Sequence, residues 1–267
     1  MNKVSARKIS NTRSGVLAAS LLGVCALACG SAAAAGMPRL SINTAMPRAS
    51  TAQAPTGAAC GTITITQSST QTITAANSVS CNSGPPNFLH TDNSYFRAFD
   101  LAALGAPDGL DVCEVQVGVE QATSTSGTQP VTVNLYTSDP LFPSGYPGSL
   151  TSIGTATAAV ADVAAGAGTV ISVPVTGSAP AGSQLVVEVF TPDGSTDGNS
   201  FFIGSNADAE TGPSYLMATE CGIETPTTTT DIGFEGMHIV LNAIGNAPAV
   251  DDTIFVDGFD GAPVLAP

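Results

Sequence analysis

Chemistry needs side chains that carry, lend or accept charge, and this chain has few cations to use. A single lysine or arginine, Arg97, follows residue 50, whereas all 21 acids do. Arg97 lies in "NSYFRAFDL" (93–101). Strand alternation puts Tyr95, Arg97, Phe99 and Leu101 on one face, and Ser94, Phe96, Ala98 and Asp100 on the other. A guanidinium among large apolar neighbours needs a partner, because desolvating it alone costs on the order of several kcal/mol. In "LVVEVF" (185–190), Glu188 shares a face with Val186 and Phe190 and is the expected partner. The Arg97–Glu188 pair is read as a structural ion pair inside the fold, in preference to a ligand-binding cation.

Other reactive groups form weaker patterns. Nucleophilic hydrolysis requires an activated Ser or Cys beside a base, and no G-x-S-x-G elbow occurs. His90 falls in a loop and His238 at the start of a strand, neither in an H-E-x-x-H arrangement. They are expected to be a surface and a strand-end histidine. Paired carboxylates would suit glycoside chemistry, but acids are so plentiful that no pair stands out. The chain has no Trp and 4 Tyr, a poor stock for stacking sugars. The aromatic-rich "DPLFPSGYPG" (139–148), with Phe142 and Tyr146, is expected to pack as a rim on its own fold. Calcium is the most physical ligand: "TPDGSTDGNS" offers Asp193, Asp197 and Asn199, and "GSNADAE" offers Asn206, Asp208 and Glu210. Hard cations take six to eight such oxygens, and loops gathered at one edge would supply them. The same residues are ordinary turn formers. No catalytic residue is assigned, and no cofactor apart from this calcium.

The chain's start and its overall charge bound its surroundings. Lys3, Arg7, Lys8 and Arg13 precede an apolar run, Val16 to Cys29, too short to span a bilayer, and "SAAAAG" follows with A-x-A-like cleavage sites. Residues 1–36 therefore read as a signal peptide; lipidation at Cys29 is a less favoured alternative, because "ALA" makes a poor lipobox. Without them, Arg39, Arg48 and Arg97 remain against 21 acids, and 3 − 21 gives −18. Such a surface repels nucleic acid and anionic lipid; membrane insertion after cleavage is not expected either. Cys60, Cys81, Cys113 and Cys221 then form an even set in an exported chain, which implies two disulfides. Three connectivities are open; Cys60–Cys81 with Cys113–Cys221 is preferred, because the first would close a hairpin-sized loop.

The elements that must position these groups are strands. "GTITITQ" (61–67), "CEVQVGVEQ" (113–121), "VTVNLYT" (131–137), "GTVISVPV" (168–175), "SQLVVEVF" (183–190), "SFFIGS" (200–205) and "MHIVLNAI" (237–244) alternate with period two between turn residues. In the second of these, Val115, Val117 and Val119 share one face while Glu114, Gln116 and Glu120 occupy the other. "LAALGAP" and "AVADVAAGAG" are too short and glycine-rich for more than a helical turn or two. The expected fold is all-β: one antiparallel β-sandwich, jelly-roll-like, over 59–245, with flexible termini. A Pro/Ser/Thr/Ala-rich linker is expected at 37–58 and an acidic tail at 246–267.

Five stretches together resemble a β-sandwich module that recurs in secreted bacterial multi-domain proteins, sometimes appended to subtilisin-like proteases. They are "NSYFRAFDL", "VTVNLYT", "LVVEVFTPDG", "SFFIGSNADAETGPSYLMATECGI" and "IGFEGMHIVLNAIG". The resemblance implies a sandwich with no assigned reaction and no catalytic residues to transfer. The tail stretch "DDTIFVDGFD" contains Ile254, Phe255, Asp257, Gly258, Phe259 and Asp260. It is similar to an Ile-Phe-x-Asp-Gly-Phe-acid ending found on many exported gammaproteobacterial proteins, which implies a Gram-negative source and a docking or sorting peptide. A disordered tail, or a strand folded back on the body, is the alternative. The expected function is a non-catalytic interaction or structural module, secreted or at the outer cell surface, whose partner is an extracellular protein or glycan. An extracellular hydrolase with an unrecognised site, or an accessory subunit of an envelope assembly, would be the other readings.

Overall fold

The computed structural model describes residues 37–44, 49, 50, 60–139 and 141–249. The expected signal peptide, Cys29, and the tail residues Ile254, Phe255, Asp257, Gly258, Phe259 and Asp260 lie outside the described residues.

Where alternation is regular, the chain is a strand. Short strands open it: β1 (Arg39–Ile42), β2 (Ala49–Ser50), β3 (Ile63–Thr66), β4 (Ile73–Thr74) and β5 (Val79–Asn82). The arginine strand β6 (Asn93–Asp100) follows, then the long strands β7 (Gly109–Thr123), β8 (Thr128–Ser138), β9 (Leu150–Ala161), β10 (Thr169–Pro180) and β11 (Gln184–Thr191). The rest are β12 (Ser200–Ile203), β13 (Ser205–Asn206), β14 (Ser214–Ala218), β15 (Ile223–Thr228), β16 (His238–Ile239) and β17 (Leu241–Asn246). Among the described residues the sole helical element is a 3-10 turn, Thr219–Cys221.

The strands form two main sheets. One has the order β10-β7-β17-β3, with β12 beside the far half of β7; the other has β15-β14-β6-β11-β8-β9. Pairings within both are antiparallel. The expected all-β sandwich is therefore present. Its core lies between the sheets: Tyr95 and Phe99 of β6, Val131, Val133 and Leu135 of β8, and Leu185, Val187 and Val189 of β11 meet Val115, Val117 and Val119 of β7, Leu241 of β17 and Phe201 of β12. Leu110 and Val112 of β7 face the same core, although their parity is opposite to that of Val115. A register shift there, between Pro174 and Gly177 on β10 and between Ile244 and Gly245 on β17, changes the phase.

Four expectations change. Part of the supposed linker is a strand: β1 pairs antiparallel with β5, Leu40 opposite Cys81. The disulfides are Cys60–Cys113 and Cys81–Cys221, not the preferred Cys60–Cys81 and Cys113–Cys221. The loop-size argument fails because β5 leaves β3 and pairs with β1, while β3 pairs with β17. β9 is not among the strands expected from the sequence; its small Thr, Ala and Ser residues make a half-exposed strand, paired along its length to β8. β9 also approaches β10 of the other sheet, and a Cβ on Gly154 would collide with the Thr176 carbonyl oxygen. Finally, Glu120 is 0% exposed, because the 73–78 segment and Asn43 cover the face of β7 that was expected to meet solvent.

Candidate functional site

Arg97 points where its parity requires, between the sheets, and it is 0% exposed. Its antiparallel neighbour on β11 is Val187, so Glu188 faces the opposite side of the sheet, and the expected Arg97–Glu188 pair does not form. The partner is Glu210 from the loop between β13 and β14, with Nη1 at 2.6 Å from Oε2. The other two nitrogens are also engaged. Nε and Nη2 donate to the Ile239 carbonyl at 3.0 and 2.6 Å, and Nη1 donates to the Gly212 carbonyl at 2.6 Å. Gln67 completes the cage, accepting from Nη1 at 3.4 Å while its amide donates to the Ala98 carbonyl. Burial pulls the guanidinium below its usual value, and the Glu210 charge opposes that. One side chain thus joins β6, the loop after β3, the loop before β14, and β16.

This cage also contains the one arrangement that resembles hydrolase machinery. Ser214 Oγ donates to Glu210 Oε2 at 3.2 Å, and His238 Nε2 lies 3.6 Å from Glu210 Oε1. The connectivity is not that of a Ser-His-acid relay. Ser214 Oγ also accepts from the Ile239 backbone N–H at 2.9 Å. The His238 ring faces backbone carbonyls with both nitrogens, Nδ1 toward Asp208 and Nε2 toward Glu235 at 3.1 Å. The serine's hydrogen bond goes to the Glu210 carboxylate, which is already paired with Arg97, and the His238 nitrogens face carbonyls and not Oγ.

His90 is also not a surface residue. It is 1% exposed, with Nδ1 on the Thr91 carbonyl and Nε2 on Gln129 Oε1, both at 3.0 Å. Burial holds its pKa below the ordinary value, against those hydrogen bonds and the charges of Asp193 and Asp92. Gln129, inward on β8, donates in turn to the Thr123 and Ser200 carbonyls, so the pair closes one end of the sandwich.

The expected calcium ligands do not converge. Asp193 and Asn199 precede β12, whereas Asn206 and Asp208 follow it; about seven extended residues, on the order of 20 Å, separate the two groups. Each residue has a local structural task. Asp193 Oδ1 accepts from the Ser195 N–H, the Asp197 carbonyl accepts from Thr125, and Asp208 Oδ2 accepts from Thr70. Asn206 donates to the Thr72 carbonyl and accepts from the Asp208 N–H. Asn199 lines a groove of about 490 Å³ with Thr125, Thr128, Ser195 and Asp197, and its Oδ1 is buried with no hydrogen-bond partner among the described residues. Among the described residues no three His, Cys, Asp or Glu side chains cluster as a metal site.

Two polar centres were not anticipated. Glu120 is a buried carboxylate that accepts from Asn43 Nδ2 at 2.7 Å and from the N–H groups of Ala76 at 2.8 Å and Ser78 at 3.0 Å. Burial raises its pKa, and these donors oppose the rise. Period-two reading placed it on a solvent face, and nothing local to β7 signals the segment that covers it. The second centre is the outer face of the β6-β11-β8 sheet. Glu188 lies there with Asn134 and Tyr136, both donating to its Oε2 at 2.9 Å. Beside it, Phe142 and Tyr146 fold over Phe96 and Tyr215, with ring centroids 5.4 Å apart for Phe142–Phe96 and 5.0 Å for Phe142–Tyr215. This is the expected packing of the "DPLFPSGYPG" rim.

No protein-family model matches the chain, and no curated protein is significantly similar to it. Among solved structures, one similar chain comprises the cysteine protease and lectin-like domains of Cwp84, a surface layer associated protein of Clostridium difficile. The likeness has 15% identity and a TM-score of 0.40, and covers 58% of this chain and 32% of that one. Among the described residues no helix is long and apolar enough to cross a membrane.

Proposed function

We propose that the protein is an exported, non-catalytic β-sandwich that acts as an interaction or structural module, secreted or held at the outer surface of a Gram-negative cell. The observation that carries this reading is where the reactive side chains sit. Arg97 and His90 are 0% and 1% exposed, and both histidine rings face acceptors of the fold with both nitrogens. The serine nearest an acid and a histidine is held by a backbone N–H. Groups used in this way stabilise layers; they are not poised to meet a substrate. The basic and apolar start of the chain supports export. The excess of 21 acids over 7 bases favours partners other than nucleic acid or anionic lipid. An extracellular protein or glycan is the partner class that remains.

The test combines binding and turnover. Tagged protein is incubated with envelope and medium fractions of its own cells, and bound components are identified with and without excess untagged protein. In parallel, the protein is assayed against chromogenic esters, glycosides and peptides. Capture of a component that the untagged protein displaces, with no turnover above a heat-denatured control, is expected. Turnover that disappears in a folded His238→Gln variant would overturn the reading in favour of a hydrolase.

A further inference from the structure

The outer sheet face contains a carboxylate that pairs with no cation among the described residues. Glu188 is 8% exposed, yet among the described residues the ion pairs are Arg97–Glu210 and His238–Glu210, and neither involves it. Arg97 points to the other side of the same sheet. The two hydrogen bonds that Glu188 receives, from Asn134 Nδ2 and Tyr136 Oη, both end on Oε2. Oε1 receives none from the described residues, and it is not one of the atoms sealed from solvent. The arrangement is braced: Asn134 is held by Thr155, whose hydroxyl donates to Asn134 Oδ1 at 2.7 Å.

Aromatic rings lie beside this carboxylate: Phe96 is the cross-strand neighbour of Glu188 on β6, and Tyr146 packs edge-on against Phe96 with centroids 6.2 Å apart. Tyr136 and Tyr146 are half-buried at the margin of the Phe96–Phe142–Tyr215 cluster. Burial, then the nearby Glu188 carboxylate, raises the pKa of both hydroxyls. Tyr146 is held in place by its hydroxyl on Met217 Sδ at 3.3 Å and by its edge on Phe142.

We propose that Glu188, Tyr136 and Tyr146 form a receptor for an alkylammonium group, the side chain of a lysine on a partner protein. A carboxylate beside aromatic rings complements an organic cation by charge and by ring quadrupole together. The free valence decides between the two cationic side chains. Arginine binds best through a two-oxygen fork, and here Oε2 already accepts two bonds. Lysine delivers a compact charge to one oxygen, and its methylenes lie along the tyrosines. The proposal gives the interaction-module reading a site, and it depends on that reading only in placing the lysine on another protein.

The experiment is an NMR titration of the full chain with Nα-acetyl-lysine methylamide, the arginine analogue, and the uncharged norleucine analogue. Saturable shifts at Asn134, Tyr136, Tyr146 and Glu188 are expected with lysine. They should be at least threefold weaker with arginine and absent with norleucine. Glu188→Gln should weaken lysine binding at least tenfold, and Tyr146→Ala, which leaves the carboxylate and the sheet intact, should weaken it severalfold. Equal shifts in Glu188→Gln, or in Tyr146→Ala should the first variant not fold, would overturn the proposal. So would unsaturated shifts spread over exposed acids such as Glu224. Failure to capture a partner would count against the module reading and leave this result unaffected.

Discussion

The fate of Arg97 depends on which atoms surround it. A guanidinium between two sheets is tolerated because its donors end on two carbonyls, an amide and a carboxylate. Removing one member of such a set leaves buried charge uncompensated, at about 3–5 kcal/mol. The structure separates two hypothetical pairs. In urea unfolding, Arg97→Met and Glu210→Gln should be non-additive, with a coupling of about 1–3 kcal/mol. Arg97→Met and Glu188→Gln should add to within about 0.5 kcal/mol. Additive losses for the first pair would show that Glu210 is not the counter-charge. Arg97's face was legible in "YFRAFDL", because Tyr95, Phe99 and Leu101 share its parity and all are buried. Its partner was not legible. Parity tells which side of a strand a residue occupies; it does not tell which irregular loop will cover that side. Glu210 comes from such a loop, where the sequence groups it with Asn206 and Asp208 as a candidate calcium ligand.

At the scale of elements, Glu120 acts as a latch. It joins β7 to the turn before β5 and to Asn43, just beyond β1, and it accepts the N–H of Ala76, whose φ of 60° is a left-handed conformation that alanine adopts at a cost. An amide at this position would turn one donor toward the N–H groups that now meet oxygen. The raised carboxyl pKa sets the sign with pH. A group whose folded value lies above its unfolded value adds stability that is present below the unfolded value and is lost as pH rises through the folded one. The stability margin of the parent protein over Glu120→Gln should therefore widen as pH falls from 7 toward about 4.3, read from urea midpoints at each pH. A margin that stays constant or narrows would contradict the assignment. Strands with clear alternation, such as β7, β8 and β11, were legible because half of each meets a core. β9 and β1 were not, because they are held by backbone pairing along β8 and β5, and ladder hydrogen bonds place no demand on side-chain type.

At the scale of the whole molecule, the two disulfides link distant parts of the chain. Their sequence separations are 53 for Cys60–Cys113 and 140 for Cys81–Cys221. Chain entropy gives each about 4–5 kcal/mol, the longer loop slightly more. Peptide mapping without reduction should recover these two links. The Cys81→Ser/Cys221→Ser variant should unfold at a lower urea concentration than the parent by an amount equivalent to about 2–5 kcal/mol. Recovery of a Cys60–Cys81 peptide would refute the topology that joins β5 to β1. By itself, the sequence determined the β class, the inward faces of its regular strands, the presence of two disulfides, and the burial of a lone arginine. Each follows from local period, from composition, or from the high cost of desolvating charge. Tertiary structure alone decided which cysteines meet, which acid answers Arg97, that both histidines are bound to the fold, and that Glu188 is left with an open oxygen on the outer face. These depend on contacts between residues far apart in the chain, and such contacts are set by strand order and register, which local alternation does not encode.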